Sequence, residues 1–185
     1  MKTIKGPGIF LSQFIGSDAP FNTLDGLAAW AAERGYKALQ IPCHHPAIFD
    51  VARAAESQAY CDDIIARLAG HGLEISELST HLEGQLIAVH PAYDAAFDGF
   101  APPDVRGNPA ARQAWAVEKL GQAAQASARL GLTAHATFSG ALAWPYFSPW
   151  PPHNAQLLEE AFHELAARWR PIFDVFDRHG VNVCF

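Results

Sequence analysis

The chain has 185 residues, a length for one domain, and half of them are apolar, which is enough for a real core and too many for a disordered segment. Its net charge of −6, with 13 Lys and Arg scattered along it, argues against nucleic acid as a partner, because phosphate binding needs clustered cations. No run approaches the roughly 20 apolar residues of a membrane span, and the first seven residues, Met1 to Pro7, carry no apolar signal core, so neither anchor nor secretion signal is predicted.

The three cysteines, Cys43, Cys61 and Cys184, are odd in number and widely spaced. That pattern fits reduced structural thiols in a cytoplasmic protein better than a disulfide framework.

Along the chain one unit recurs: an amphipathic helix, a glycine, a short strand, a polar loop. A first strand is predicted over residues 8–14. The loop after it, Gly16-Ser17-Asp18-Ala19-Pro20, is not a dinucleotide-binding fingerprint. A helix over 23–34 ends at Gly35, and a strand follows over 36–41. The adjacent His44 and His45 come next; consecutive side chains diverge and make a poor chelate, so no function is read onto them. A helix over 56–70, burying Tyr60, Ile64 and Leu68, leads to Gly72 and a third strand over 73–79. The loop beyond holds His81, Glu83, Gln85 and His90.

Asn108 followed by Pro109 reads as an N-cap with proline in the first turn. From there Ala116, Leu120, Ala123, Ser127 and Leu130 share a face. Gly131 and a fourth strand over 132–137 follow, then Ser139 and Trp144. Trp144, Tyr146, Phe147 and Trp150, interleaved with Pro145, Pro149, Pro151 and Pro152, read mainly as a satellite core, with Trp144 the member assigned to a pocket. The last helix starts near Asn154 and carries the stripe Leu158, Phe162, Leu165, Trp169, Ile172, Phe176, with Pro171 expected to kink or restart it. Gly180 and a fifth strand over 181–185 close the chain. Each of Gly35, Gly72, Gly131 and Gly180 is placed to end a helix in the left-handed conformation.

Alternating strands and helices imply parallel strands joined by right-handed crossovers. Five strands and four helices suit a doubly wound sheet or part of a (β/α)₈ barrel. The missing phosphate loop, and long polar loops after the strands against short ones before them, favour the barrel.

Four stretches, Gly6-Pro7-Gly8-Ile9-Phe10-Leu11, Gly35-Tyr36-Lys37-Ala38-Leu39-Gln40-Ile41-Pro42, Glu77-Leu78-Ser79-Thr80-His81-Leu82-Glu83-Gly84-Gln85 and His135-Ala136-Thr137-Phe138-Ser139-Gly140 running on into Ala143-Trp144-Pro145-Tyr146, resemble in order and spacing the xylose-isomerase-like barrels of the sugar phosphate isomerase/epimerase family. The resemblance implies a TIM barrel of which residues 1–185 form a single domain, the N-terminal half. It also implies a divalent metal (Mn, Mg, Zn or Co) in the complete barrel, held by two Glu, an Asp and a His at the ends of strands five to eight. That set falls beyond Phe185, so no catalytic residue or metal ligand is assigned. The metal would stabilise an enediolate while the glutamates move the proton.

One wall of a substrate pocket remains for this chain. His81, at the tip of the third strand, can exchange hydrogen bonds with a sugar hydroxyl, or else bonds nearby backbone. Gln85 and His90 follow it as pocket candidates. Glu83 reads as a solvated surface acid. His135 shares a side with Thr137 and either lines the barrel mouth or is a satisfied core histidine. Ser139 and Trp144 complete the set, the indole suited to stacking on a sugar ring. His71, His163 and His179 read as surface or cap residues.

The predicted function is therefore a share in a metal-dependent isomerase or epimerase acting on a small sugar or polyol. The chain alone is expected to be inactive and to self-associate through its bare sheet edges. A stand-alone, non-catalytic binding or assembly module is the alternative. A nuclease on the same barrel is disfavoured by the acidic balance. No cluster of Lys or Arg follows the first four strands, so nothing in the sequence supports recognition of a phosphate.

Overall fold

The computed structural model describes residues 4–148, 150 and 152–185. Five parallel strands form one sheet in the order β1-β2-β3-β4-β5. They are β1 (Gly8–Phe10), β2 (Ala38–Pro42), β3 (Glu74–Thr80), β4 (Ala134–Thr137) and β5 (Asn182–Cys184). Sequential order without a reversal is the topology of a barrel segment; a doubly wound sheet reverses at a switch point. The fold is thus a partial (β/α) barrel.

Seven α-helices occur among the described residues: α1 (Leu24–Glu33), α2 (Val51–Glu56), α3 (Gln58–Gly70), α4 (His81–Gln85), α5 (Asp94–Phe97), α6 (Pro109–Arg129) and α7 (Gln156–Arg178). The four long ones are those the apolar periodicity predicts. The three short ones have too few residues to show a period. None of the helices among the described residues is long and apolar enough to cross a membrane.

Local signals explain the boundaries. Gly35, Gly72, Gly131 and Gly180 all have φ between 67° and 83°, so each ends its helix as expected. The Asn108 side chain accepts the Ala111 N–H at 3.1 Å, and the predicted α6 face, from Ala116 to Leu130, is buried. The first strand stops at Phe10, because the chain tightens into a 3₁₀ turn over Ser12–Phe14.

Two expectations for α7 need correction. The helix does not restart at Pro171 but runs through it; Pro171 and Ala167, whose carbonyl loses its donor, both lie on the exposed side, open to solvent. Phe162 is 57% exposed, and Ala161 takes its place in the buried stripe. The aromatic segment also differs. Tyr146 packs with Leu142, Ala143 and Ala161, whereas Phe147 and Trp150 are exposed. Pro149 and Pro151 lie outside the described residues.

The sheet has two chemically distinct faces. Residues paired across parallel neighbours share a face, and successive residues alternate. Leu39, Ile41 and Leu78 belong to a core cluster with Leu27, Ala54, Ile64, Leu68 and Ala123 of α1, α2, α3 and α6. This is the helix-covered face. On the other, Phe10 pairs with Gln40, and Gln40 with Glu77. Buried Arg112 of α6 holds the segment before it by binding Asp94 and Asp98.

Candidate functional site

Sheet alternation decides where the strand-tip side chains go. Gln40, the polar residue of the otherwise apolar β2, and Glu77 of β3 meet on the face away from the helices, the Gln40 amide donating to the Glu77 carboxylate at 2.6 Å. Above them, β3 passes directly into α4, so His81 opens a helix rather than lying in a loop. Its ring meets the Phe10 ring edge-on at 5.0 Å and the Phe138 ring at 4.4 Å. Burial lowers the His81 pKa, only partly opposed by the carboxylate of Glu77. The imidazole is therefore neutral at pH 7 and able to donate from one nitrogen and accept at the other.

Gln85 closes α4, its amide donating to the His81 carbonyl at 3.1 Å. The helix seats tightly because residue 84 is glycine: a Cβ there would collide with Thr137 Oγ1 and the Phe138 carbonyl. Beyond β4, Ser139 presents its carbonyl to the Trp169 indole N–H at 2.8 Å and its hydroxyl to the Gly140 carbonyl. Trp144 is 47% exposed and rests on Tyr93 and Phe97, with ring centroids 5.9 and 5.6 Å away.

Gln85, Ser139 and Trp144 line one cavity of about 480 Å³, together with Phe97, Phe138 and Phe185. It lies past the C-terminal ends of β4 and β5, and Phe138 connects it to His81. A second cavity, about 570 Å³, opens at the opposite end of the sheet, where α3 and α6 end and β3 and β4 begin. Its side chains are mainly aliphatic, and a barrel places its reactive groups at the strand C-termini, so the first cavity is the candidate site.

The remaining expected residues stand apart from that cavity. His90 Nδ1 accepts the Ala92 N–H at 3.1 Å, so the ring proton is on Nε2, which donates to the Tyr146 hydroxyl at 3.3 Å. One nitrogen is used within its own loop and the other ties that loop to the segment after β4. His135 pairs with Leu78 across the strands, on the helix-covered face. It is fully buried, 2.7 Å from the Thr80 hydroxyl, 3.4 Å from that of Ser127, and against the Phe176 ring. Of its two sequence readings, the satisfied core histidine is the one observed. Burial pulls its pKa down to about 3.

Glu83 overturns its expectation. It is 1% exposed rather than solvated, because α4 turns it inward. Burial raises its pKa to about 7, against a smaller opposing effect of its own backbone N–H and of Lys119.

His44, onto which no function is read from sequence, joins the groups at the strand tips. It lies just beyond the tip of β2, as His81 does beyond β3, with Nε2 3.4 Å from the Ser12 hydroxyl. Burial, then the neighbouring His45 and His81, lowers its pKa. The shared strand-tip position was the available signal. Among the described residues no three His, Cys, Asp or Glu side chains are arranged to hold a metal ion. The donors present do not fit the divalent metal that the resemblance implies.

Comparison with known proteins supplies the family. Residues 28–185 match the description "Xylose isomerase-like TIM barrel". The chain belongs to the xylose-isomerase-like TIM-barrel family. Among solved structures, a xylose isomerase domain protein from Planctomyces limnophilus is 12% identical, with 99% of this chain and 54% of that one covered at a TM-score of 0.56. AsbF of Bacillus anthracis, involved in petrobactin synthesis, is 16% identical over 96% of this chain and 50% of its own, TM-score 0.56. D-allulose 3-epimerase from Methylomonas sp. is 14% identical over 98% and 51%, TM-score 0.52. At these identities the likeness shows the xylose-isomerase-like fold alone. The chain spans about half the length of these relatives. No curated protein matches it.

Proposed function

We propose that this chain supplies the substrate-binding wall, from its first four strands, of a metal-dependent isomerase or epimerase acting on a small sugar or polyol. The observation that carries the reading is the cavity past β4 and β5, lined by the half-exposed indole of Trp144 together with Gln85 and Ser139. An indole stacks on the C–H face of a sugar ring, and an amide and a hydroxyl serve its hydroxyls. His81, across Phe138, adds a neutral imidazole. Membership of the family and the shared fold with D-allulose 3-epimerase support this substrate class.

In this reading the chain's own residues bind and orient the sugar. A divalent metal and the proton-transferring groups belong to the complete barrel. His135 takes no part in contact with the ligand, and His90 braces its loop through Tyr146.

Titrating the 185-residue chain with D-allulose while recording amide and indole NMR shifts tests the proposal. Shifts at Gln85, Ser139 and the Trp144 indole are expected. Binding confined to the opposite cavity, or no binding in the complete barrel, would favour a non-catalytic module.

A further inference from the structure

Beside the cavity, the tips of β1, β2 and β3 bring a second set of polar groups together. Cys43 donates its backbone N–H to the Ser79 carbonyl at 2.8 Å, which ties the residue before His44 to β3. His44 then reaches back to Ser12 at the end of the first strand. His81 stands near it, and Glu77 lies beneath His81, already held by Gln40.

The proton positions follow from burial. Nδ1 of His44 and Nδ1 of His81 are both enclosed and have no hydrogen-bond partner. A buried N–H without an acceptor costs more than a buried bare lone pair, so the proton of each neutral ring sits on Nε2. His44 Nε2–H then donates to the Ser12 oxygen, leaving the Ser12 O–H free to donate in turn. The half-buried His81 ring turns its remaining edge, Nε2–H, outward. With the Glu77 carboxylate as acceptor, the set offers donors and an acceptor side by side.

We infer that His44, Ser12, His81 and Glu77 form a second subsite that takes adjacent hydroxyls of an uncharged polyol and rejects a phosphate ester. This rests on the sugar-binding reading above and extends it to residues outside the cavity. A hydroxyl both accepts and donates, so one hydroxyl can accept a hydrogen bond from His81 Nε2–H and donate one to Glu77. A phosphate dianion only accepts. It would meet the Glu77 carboxylate, the charged group that acts on the His81 ring. Arg112 and Arg168 are committed to Asp94, Asp98 and Glu164.

The test is a titration of the 185-residue chain with D-allulose and, separately, with D-fructose 6-phosphate, following imidazole ¹⁵N shifts. D-Allulose should move the Nε2 signals of His44 and His81, and the phosphate ester should bind at least about tenfold more weakly. His44→Ala and Ser12→Ala should each weaken D-allulose by about tenfold with the amide spectrum otherwise intact, and His44→Gln, which keeps a donor, should recover part of the loss. Equal or tighter binding of the phosphate ester would overturn the inference. So would D-allulose binding that moves Trp144 and Gln85 but neither histidine, while leaving the sugar-binding reading in place. An absence of binding by either sugar would overturn both.

Discussion

Thr80 Oγ1 and His135 Nε2 lie 2.7 Å apart behind the sheet, on the face opposite the Gln40–Glu77 pair. The same Thr80 hydroxyl donates to Thr137 at 3.1 Å, and Thr137 is the residue on which Gly84 rests. A buried polar chain thus runs from α6, through His135, to the helix that carries His81.

The first prediction concerns acid. His135 has a folded pKa of about 3, below the ordinary histidine value of 6.5. Between those two values the unfolded chain binds a proton that the folded chain does not, so stability rises with pH across the window and falls as pH drops. The slope approaches about 1.4 kcal/mol per pH unit at most. Urea unfolding from pH 7 to pH 4 measures it. His135→Gln should flatten the dependence while losing about 1–3 kcal/mol at pH 7 through the broken network.

Glu83 gives the opposite sign. Its folded pKa of about 7 lies above the model-peptide value of 4.5. Between 4.5 and 7 the unfolded chain releases a proton that the folded chain retains, so this contribution is intact below 4.5 and is lost as pH rises to 7. The two groups therefore oppose each other from 4.5 to 6.5. Below 4.5 the histidine effect stands alone. Glu83→Gln should stabilise the protein at pH 8, by about 1–3 kcal/mol, and little at pH 4. An equal difference at both values would show that the fold leaves the Glu83 pKa at its ordinary value.

A third expectation follows from Gly84. An added methyl meets Thr137 Oγ1 and a backbone carbonyl that cannot move aside cheaply. Gly84→Ala should cost about 1–3 kcal/mol in denaturant unfolding, although alanine is the better helix former. It should also shift the His81 ring signals, because α4 must lift from the end of β4.

Trp144→Ala tests the proposed stacking role. The residue is half-exposed and rests on Tyr93 and Phe97, so its removal should cost the fold little, within about 1 kcal/mol. D-Allulose affinity should fall by about fivefold to tenfold, the size of one lost aromatic contact. Unaltered affinity with an unaltered fold would leave Trp144 without a role in binding.

The strand and helix order was legible in the sequence because it depends on local rules. Apolar periodicity marked the long helices, Gly35, Gly72, Gly131 and Gly180 marked their ends, and the Asn108 cap marked where α6 begins. Which face a polar strand residue takes was not legible. His135 and Glu77 are both polar residues inside short strands, but one lies among α6 and α7 and the other on the far face. Strand register and the bulge between β2 and β3 decide between them, and these are set by pairing of segments about 35–60 residues apart. Glu83 was misread for a similar reason: a five-residue helix shows no periodicity, and only packing of Gly84 on β4 turns the carboxylate inward. The meeting of Ser12, His44 and His81 is likewise a product of three strand tips brought side by side, a distance relation that no local pattern of residues encodes.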